Sequence, residues 1–203
     1  MSHSIVLASG NKGKLKEFRH LLAGQDFTVV PVAEFSKAEP EETGLSFVEN
    51  AIIKARHAAK ISCLPAIADD SGLEVDYLQG APGIYSSRFS GEGASDASNN
   101  DKLLKLLEGI EEEKRSARFQ CLLVFMRHHE DPTPLICQGT WEGIIADKPR
   151  GEHGFGYDPL FFVKEQNCTA AELTKEVKNT LSHRARAMRQ LLDKLSNNPK
   201  LFP

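Results

Sequence analysis

Four short segments of this chain combine residue types that could do phosphate chemistry. Ser9-Gly10-Asn11-Lys12-Gly13-Lys14 lies where a β-branched run ends and helical spacing begins. Backbone N–H groups at such a helix start, with the macrodipole behind them, suit an anion. Two lysines and a serine hydroxyl add charge-assisted bonds. The segment is not a Walker loop, because only Asn11 and Lys12 separate the glycines and Leu15 stands where a Ser or Thr is needed. An ordinary glycine turn with solvated lysines is the competing reading. The second segment set is acidic: Glu41 and Glu42, then Asp69-Asp70-Ser71-Gly72 at the C-terminal end of an expected strand. Adjacent carboxylates where a strand gives way to a loop point in different directions, so one can bind Mg²⁺ while the other orients the ion or a water. Open α/β sheets place ligands at that end of their strands. An Asx turn through Ser71 and Gly72 would explain the same residues without a ligand.

Gly154-Phe155-Gly156-Tyr157-Asp158-Pro159 is the third. Glycines on both sides of an aromatic residue leave its face open to stack a purine, although a core aromatic between turn glycines reads the same way. The fourth is Lys178 with Ser182-His183-Arg184 at the start of the last expected helix. Donors at a helix N-terminus oppose the macrodipole, so the cluster implies an acceptor-rich ligand in front of it, or else a solvated basic face. His3, His20, His57, His128, His129 and His153 show no transition-metal spacing.

The elements that must position these residues follow from periodicity. Residues 4–9 read as a strand, and Leu15, Phe18, Leu21 and Leu22 as a helix directly after it. Phe27 to Val32 reads as a second strand. Ser46-x-x-Glu49 makes a capping box for a helix carrying Phe47, Ala51, Ala55 and Ala58, and Pro65 to Asp69 is a strand. The connection from Gly80 to Ser98 is long enough to be functional, with a helix expected around Leu103 to Ile110. Ala117 to Arg127 and Leu135 to Ala146 alternate like long antiparallel strands, so the sheet is expected to be mixed. Leu160 to Val163 is a short strand, Thr169-x-x-Glu172 opens a short helix, and Ser182 caps a last helix with Met188, Leu191, Leu192 and Leu195 on one face. Strands alternating with helices indicate an α/β fold, and only Asn197 to Pro203 reads as a loose tail.

The totals narrow the class. At 203 residues and 40% hydrophobic content the chain can bury roughly 70% of its unfolded surface in one domain. A net charge of −3 argues against a nucleic-acid partner. Cys63, Cys121, Cys137 and Cys168 are widely spaced and read as reduced core thiols. Neither a leader-like N-terminus nor a long apolar run is evident, so the expectation is a cytoplasmic protein without a membrane partner.

Taken in order, S-G-N-K-G-K, E-E-T-G-L-S-F-x-E-N-A, A-D-D-S-G-L, A-P-G-I-Y-S-S-R, G-F-G-Y-D-P and S-H-R resemble the inosine triphosphate pyrophosphatase family, from about Ile5 to Leu195. Ser87 stands where many relatives carry a small apolar residue. The resemblance implies a single bilobed domain over residues 1–203, with an elongated mixed β-sheet flanked by helices and a substrate cleft between two lobes. It also implies Mg²⁺ as cofactor, a purine nucleoside triphosphate as substrate and a homodimer. Carried over by position, Ser9, Gly10, Asn11, Lys12, Gly13 and Lys14 hold the triphosphate, and Glu42 and Asp70 bind Mg²⁺. Asp70 is also the proton acceptor for water, and Ser71 contacts substrate. Phe155, Gly156, Tyr157, Asp158 and Lys178 line the nucleoside site, while His183 and Arg184 read the base.

The activity so implied is hydrolysis of XTP, dITP and ITP to the monophosphate and pyrophosphate, which removes deaminated purines from the nucleotide pool. Hypoxanthine and xanthine present a 6-oxo acceptor where adenine presents a 6-amino donor, so donors such as Arg184 would exclude ATP. Competing readings are a pyrophosphatase for modified pyrimidine or methylated guanine nucleotides, and a nucleotide-binding module without catalysis.

Overall fold

From Ile5 to Ala8 of β1 (His3–Ala8) successive side chains alternate between two buried faces, and that alternation organises the first unit of the molecule. The computed structural model describes residues 3–23 and 27–198, so the end of the expected tail, beyond Asn198, lies outside the described residues. The strands form one mixed seven-stranded sheet, in the order β2-β1-β3-β4-β5-β6-β7. Here β2 is Phe27–Pro31, β3 Ala66–Val75, β4 Ser116–Met126, β5 Leu135–Ile145, β6 Phe161–Val163 and β7 Cys168–Thr169. β1 pairs in parallel with β2 and β3, whereas β6 is antiparallel to both β5 and β7. The α/β expectation and the mixed sheet are both observed.

The chain divides into two compact units, the first comprising Met1–Asp70, Cys121–Gly139 and Arg184–Pro203, the second Ser71–Gln120 and Thr140–His183. In the first unit, Ile5, Leu7 and Ile67 face a core shared with Phe18 and Leu22, from α1 (Lys12–Leu21) and the residue capping it, and with Met188, Leu191 and Leu195 of α5 (His183–Ser196). Val6, Ala8, Ala66 and Ala68 face the other way, against Ala51, Ala55, Ala58 and Ala59 of α2 (Phe47–Ser62). Small side chains on both surfaces let that helix lie close to the sheet.

In the second unit Leu73, Val75, Ala117, Phe119, Trp141 and Ile145 form a core with Leu103 and Leu107, at the end of α3 (Asp96–Leu106). Val177 and Leu181 of α4 (Lys175–Leu181) pack against it. The alternate residues of the same strands are polar and pair across strands. Arg118 meets both carboxylate oxygens of Asp76 at 2.7 and 2.9 Å and also bonds Glu142, while Gln120 bonds Glu74 and Thr140.

Three local expectations are corrected. Asp69 to Gly72 lie inside β3 and not at its C-terminal end, because the strand runs on through Leu73 and Val75, whose side chains are buried in the second core. α3 starts at Asp96 rather than near Leu103, because Ser95 and Ser98 close a reciprocal capping box inside the polar stretch that read as loop. At Thr169-x-x-Glu172 the cap forms but no helix follows. Thr169 N–H donates to Glu172 Oε2 at 2.7 Å, while Thr169 itself pairs with Phe162 in the sheet, and the helix begins at Lys175 behind Thr174.

The connection between β4 and β5 is held by one buried carboxylate. Asp131 accepts from Arg127 N–H at 3.0 Å, Arg127 Nε at 2.8 Å and Thr133 N–H at 3.0 Å. These bonds, the Arg127 side chain foremost, hold its pKa well below the usual carboxylate range. Asp131→Asn should therefore lower unfolding free energy by about 1.5–3 kcal/mol at pH 7, read by urea denaturation. Because the folded-state pKa is depressed, the wild type's advantage is present above about pH 4 and shrinks as pH falls further.

Candidate active site

β3 carries Asp69 and Asp70 side by side, and the strand's period of two sends them to opposite faces. Asp69, 1% exposed, is met by Lys14 Nζ at 2.9 Å and by Arg184 Nε at 3.6 Å. Burial alone would raise its pKa, but Lys14, Arg184 and Lys54 outweigh that and hold it well below the ordinary range. Arg184, 2% exposed, is also bonded through Nη1 to Glu17 of α1.

Asp70 lies on the α2 side. Lys54 Nζ stands 2.6 Å from Asp70 Oδ1 and 3.1 Å from Glu42 Oε1, so two carboxylates from separate segments converge on one cation. Burial raises the Asp70 pKa, and Lys54 opposes the rise without cancelling it. The Lys54 pKa is itself raised: burial pulls it down, but Asp70, Asp69 and Glu42 outweigh that.

The loop carrying Glu42 is fixed to the first turn of α2. Gly44 N–H donates to Asn50 Oδ1 at 2.8 Å and Leu45 N–H to Glu49 Oε2 at 3.0 Å, with Ser46 as the N-cap. A Cβ at position 44 would come within 2.6 Å of Glu49 Cβ and 2.7 Å of Asn50 Oδ1, so only glycine allows this approach. Asn50 Nδ2 is buried with no hydrogen-bond partner among the described residues.

The anion-suited segment is a helix start, as expected. Asn11 caps α1 by accepting Lys14 N–H at 3.0 Å, Ser9 Oγ accepts Asn11 N–H at 3.3 Å, and no acidic residue occupies the first turn. Gly10 is exposed and Gly13 partly so. The Lys12 side chain lies outside the described part of the structure.

In the second unit, Asp158 Oδ2 accepts from Lys178 Nζ at 2.6 Å and from Phe155 N–H at 2.9 Å, and both charged groups are buried. Lys178 Nζ also sits 5.1 Å from the Phe155 ring centroid, a cation–π distance. Gly154, at φ +81°, gives way to the same carboxylate, which a Cβ there would meet at 2.0 Å. Tyr157 is buried, donates its hydroxyl to Ser86 O at 2.8 Å, and has its pKa raised by burial. His183 stacks on Phe119 at 4.8 Å between centroids. Ser71 is half-buried on β3.

Thus Lys14, Asp69 and Arg184 form one cluster, Glu42, Lys54 and Asp70 a second, and Phe155, Asp158 and Lys178 a third. Lys54, Asn50 and Glu17 carry interactions that the motif reading passed over. A lysine on a helix whose neighbours Ala51, Ala55 and Ala58 are buried alanines was the available signal for Lys54. Among the described residues no helix is long and apolar enough to cross a membrane, and no three His, Cys, Asp or Glu side chains gather as a metal cluster.

Comparison with known proteins agrees with this frame. The model of the Ham1 family matches residues 5–194, and the chain belongs to that family. It is 58% identical over 195 residues to a protein of Vibrio vulnificus (strain YJ016) named dITP/XTP pyrophosphatase, covering 96% of this chain and 98% of that one. Among solved structures, a HAM1 protein from Coxiella burnetii superposes with a TM-score of 0.89 at 51% identity, over 96% of this chain and 99% of that one. The Staphylococcus aureus Ham1 protein does so with a TM-score of 0.85 at 42% identity, over 96% and 98%.

The opposite environments of the adjacent aspartates can be measured. Asp69→Asn strips a buried cation pair of its counter-charge and should cost about 3–5 kcal/mol of unfolding free energy. Asp70→Asn removes a carboxylate whose charged form burial disfavours and leaves Lys54 paired with Glu42, so it should change stability by about 1 kcal/mol or less. Urea titrations of both variants without divalent cation test this, and equal losses would contradict it.

Proposed function

We propose that this chain is a Mg²⁺-dependent nucleoside triphosphate pyrophosphatase that hydrolyses deaminated purine nucleotides, XTP, dITP and ITP, to the monophosphate and pyrophosphate. The observation that carries the reading is the convergence of Glu42 and Asp70 on one cationic point, in the unit that also holds an anion-suited helix start. The name of the Vibrio vulnificus relative supports the same reaction.

The donor set fits the metal. Glu42 and Asp70 offer hard carboxylate oxygens, and Mg²⁺ is commonly held by one or two carboxylates with substrate phosphates and water completing its shell. When bound, the ion offsets charge on the phosphate oxygens and on the departing pyrophosphate. Lys54, already seated between both carboxylates, keeps them oriented.

The remaining chemistry belongs to the chain. A triphosphate brings about four negative charges, which Lys12, Lys14 and the amides of residues 9–14 offset locally against a net charge of −3. Water attacks the α-phosphorus, the bond to the bridging oxygen breaks, and Asp70 takes the proton. Burial makes Asp70 more basic than an ordinary carboxylate, which suits that step. Phe155 offers a stacking face, with Asp158 and Lys178 ordering its surroundings. Ser71, Gly156 and Tyr157 complete the substrate contacts, and His183 with Arg184 discriminates the 6-oxo base. Residues 1–203 work as one nucleotide pyrophosphatase domain, as a homodimer in the cytoplasm, without nucleic acid or membrane as partner.

Purified protein should release pyrophosphate and IMP from ITP only with Mg²⁺ present, prefer ITP and XTP over dUTP and 7-methyl-GTP, and release no orthophosphate directly. Asp70→Asn should lower kcat at least about a hundredfold with a smaller change in KM. Orthophosphate with a diphosphate product would exclude α-phosphorus attack, and a variant within threefold of wild type would remove Asp70 from its role.

A further inference from the structure

The connection from Gly80 to Ser98 is used by none of the chemistry above, yet within the second unit it is a built object. Ser86 Oγ accepts Leu73 N–H at 2.9 Å and donates to Gly83 O at 2.6 Å, while its carbonyl receives the Tyr157 hydroxyl at 2.8 Å. Buried Asn99 donates to Ser86 O and Ser87 O at 3.3 and 3.2 Å and accepts Ser90 N–H at 2.8 Å. The connection then feeds α3 through the Ser95 cap. Residues four apart share one helix face, and Asp96 and Asn100 use that face to grip a single residue from both sides. Asp96 Oδ2 accepts Gly156 N–H at 2.7 Å, and Asn100 Nδ2 donates to Gly156 O at 3.0 Å.

We propose that Asp96 and Asn100 are positioning residues for nucleoside binding, which fix the Gly156 backbone and thereby the stacking face of Phe155. The inference rests on the nucleotide reading given above. Gly154 and Gly156 both have positive φ, +81° and +63°, and glycine backbones have many conformations to lose. A loop of that kind left untied would be ordered only on binding, and the ordering cost would appear in affinity for the nucleoside. With Gly156 clamped at both its N–H and its C=O, Phe155 N–H stays on Asp158 and the ring stays beside Lys178. The clamp acts before the substrate arrives. It leaves the bond-breaking step at the phosphate untouched.

The experiment is steady-state hydrolysis of ITP by wild type, Asp96→Ala, Asn100→Asp and Asp96→Asn, together with inhibition by inorganic tripolyphosphate, which has no nucleoside. Asp96→Ala removes the acceptor, and Asn100→Asp replaces the donor with an oxygen of the same shape. Each should raise KM for ITP roughly tenfold while kcat stays within about threefold and the tripolyphosphate inhibition constant is unchanged. Asp96→Asn keeps an acceptor oxygen and should restore KM to within about threefold of wild type. KM within twofold of wild type in Asn100→Asp, or a parallel loss of tripolyphosphate binding, overturns the proposal. Asn100→Asp decides alone should Asp96→Ala fail to fold, as judged by Trp141 fluorescence. A wild type inactive on ITP overturns the functional reading, whereas an active wild type with unaltered variants overturns only the clamp.

Discussion

A carboxylate cannot be buried ionised unless cations surround it, and Asp69 imposes that constraint on the first unit. Two elements answer it, Lys14 from α1 and Arg184 from α5, and Arg184 is tied back to α1 through Glu17. These are the two helices that cover the Ile5, Leu7 and Ile67 face of the sheet. Asp69 belongs to that face by parity with Ile67, so one charged residue sets where both helices can lie. The helix start suited to phosphate is thereby anchored to β3 at a defined place.

Asp70 inherits the other face for the same reason. Its parity matches Ala66 and Ala68, which pack on α2, and α2 supplies Lys54. Because a strand inverts its side chains at every step, a D-D pair yields one carboxylate locked as a counter-ion and one whose basicity burial increases. Neither role could be exchanged without moving a helix. The second unit repeats the device, since buried Asp158 orients Lys178 and pins the Phe155 amide. In each case a carboxylate holds the lysine that holds the neighbouring geometry.

Much of this was legible in residue order. The β1–α1 junction, the α2 capping box and the long strands follow from period and punctuation, as does the start of α5. α3 was misplaced because its first turn, Asp96 to Asn100, carries no apolar residue except Ala97, and the cap that nucleates it reads as loop composition. Thr169-x-x-Glu172 misled for the converse reason, with capping chemistry present but no apolar run behind it. Pairings were the least legible layer. That Lys14 would meet Asp69, and Lys54 both Glu42 and Asp70, depends on which faces two helices present, and separations along the chain do not encode that. Asp96 and Asn100 carry no motif at all, because a hydrogen bond to a backbone amide is indifferent to the sequence it grips.

The residues that break local rules cluster where the proposed chemistry is placed. A strand buried on both faces favours apolar residues, yet β3 places two aspartates in its middle, and α2 sets a lysine among buried alanines. Each violation would be costly alone, and each is neutralised by another: Asp69 by Lys14 and Arg184, Asp70 by Lys54. In the proposed function the same compensated clusters would meet the phosphates, with Lys14 already held on Asp69 and Lys54 on Glu42 and Asp70. With a net charge of −3, such binding would not rest on a long-range positive field, which salt would screen. It would rest on ammonium groups held in place by buried partners, with position defined before the phosphates arrive.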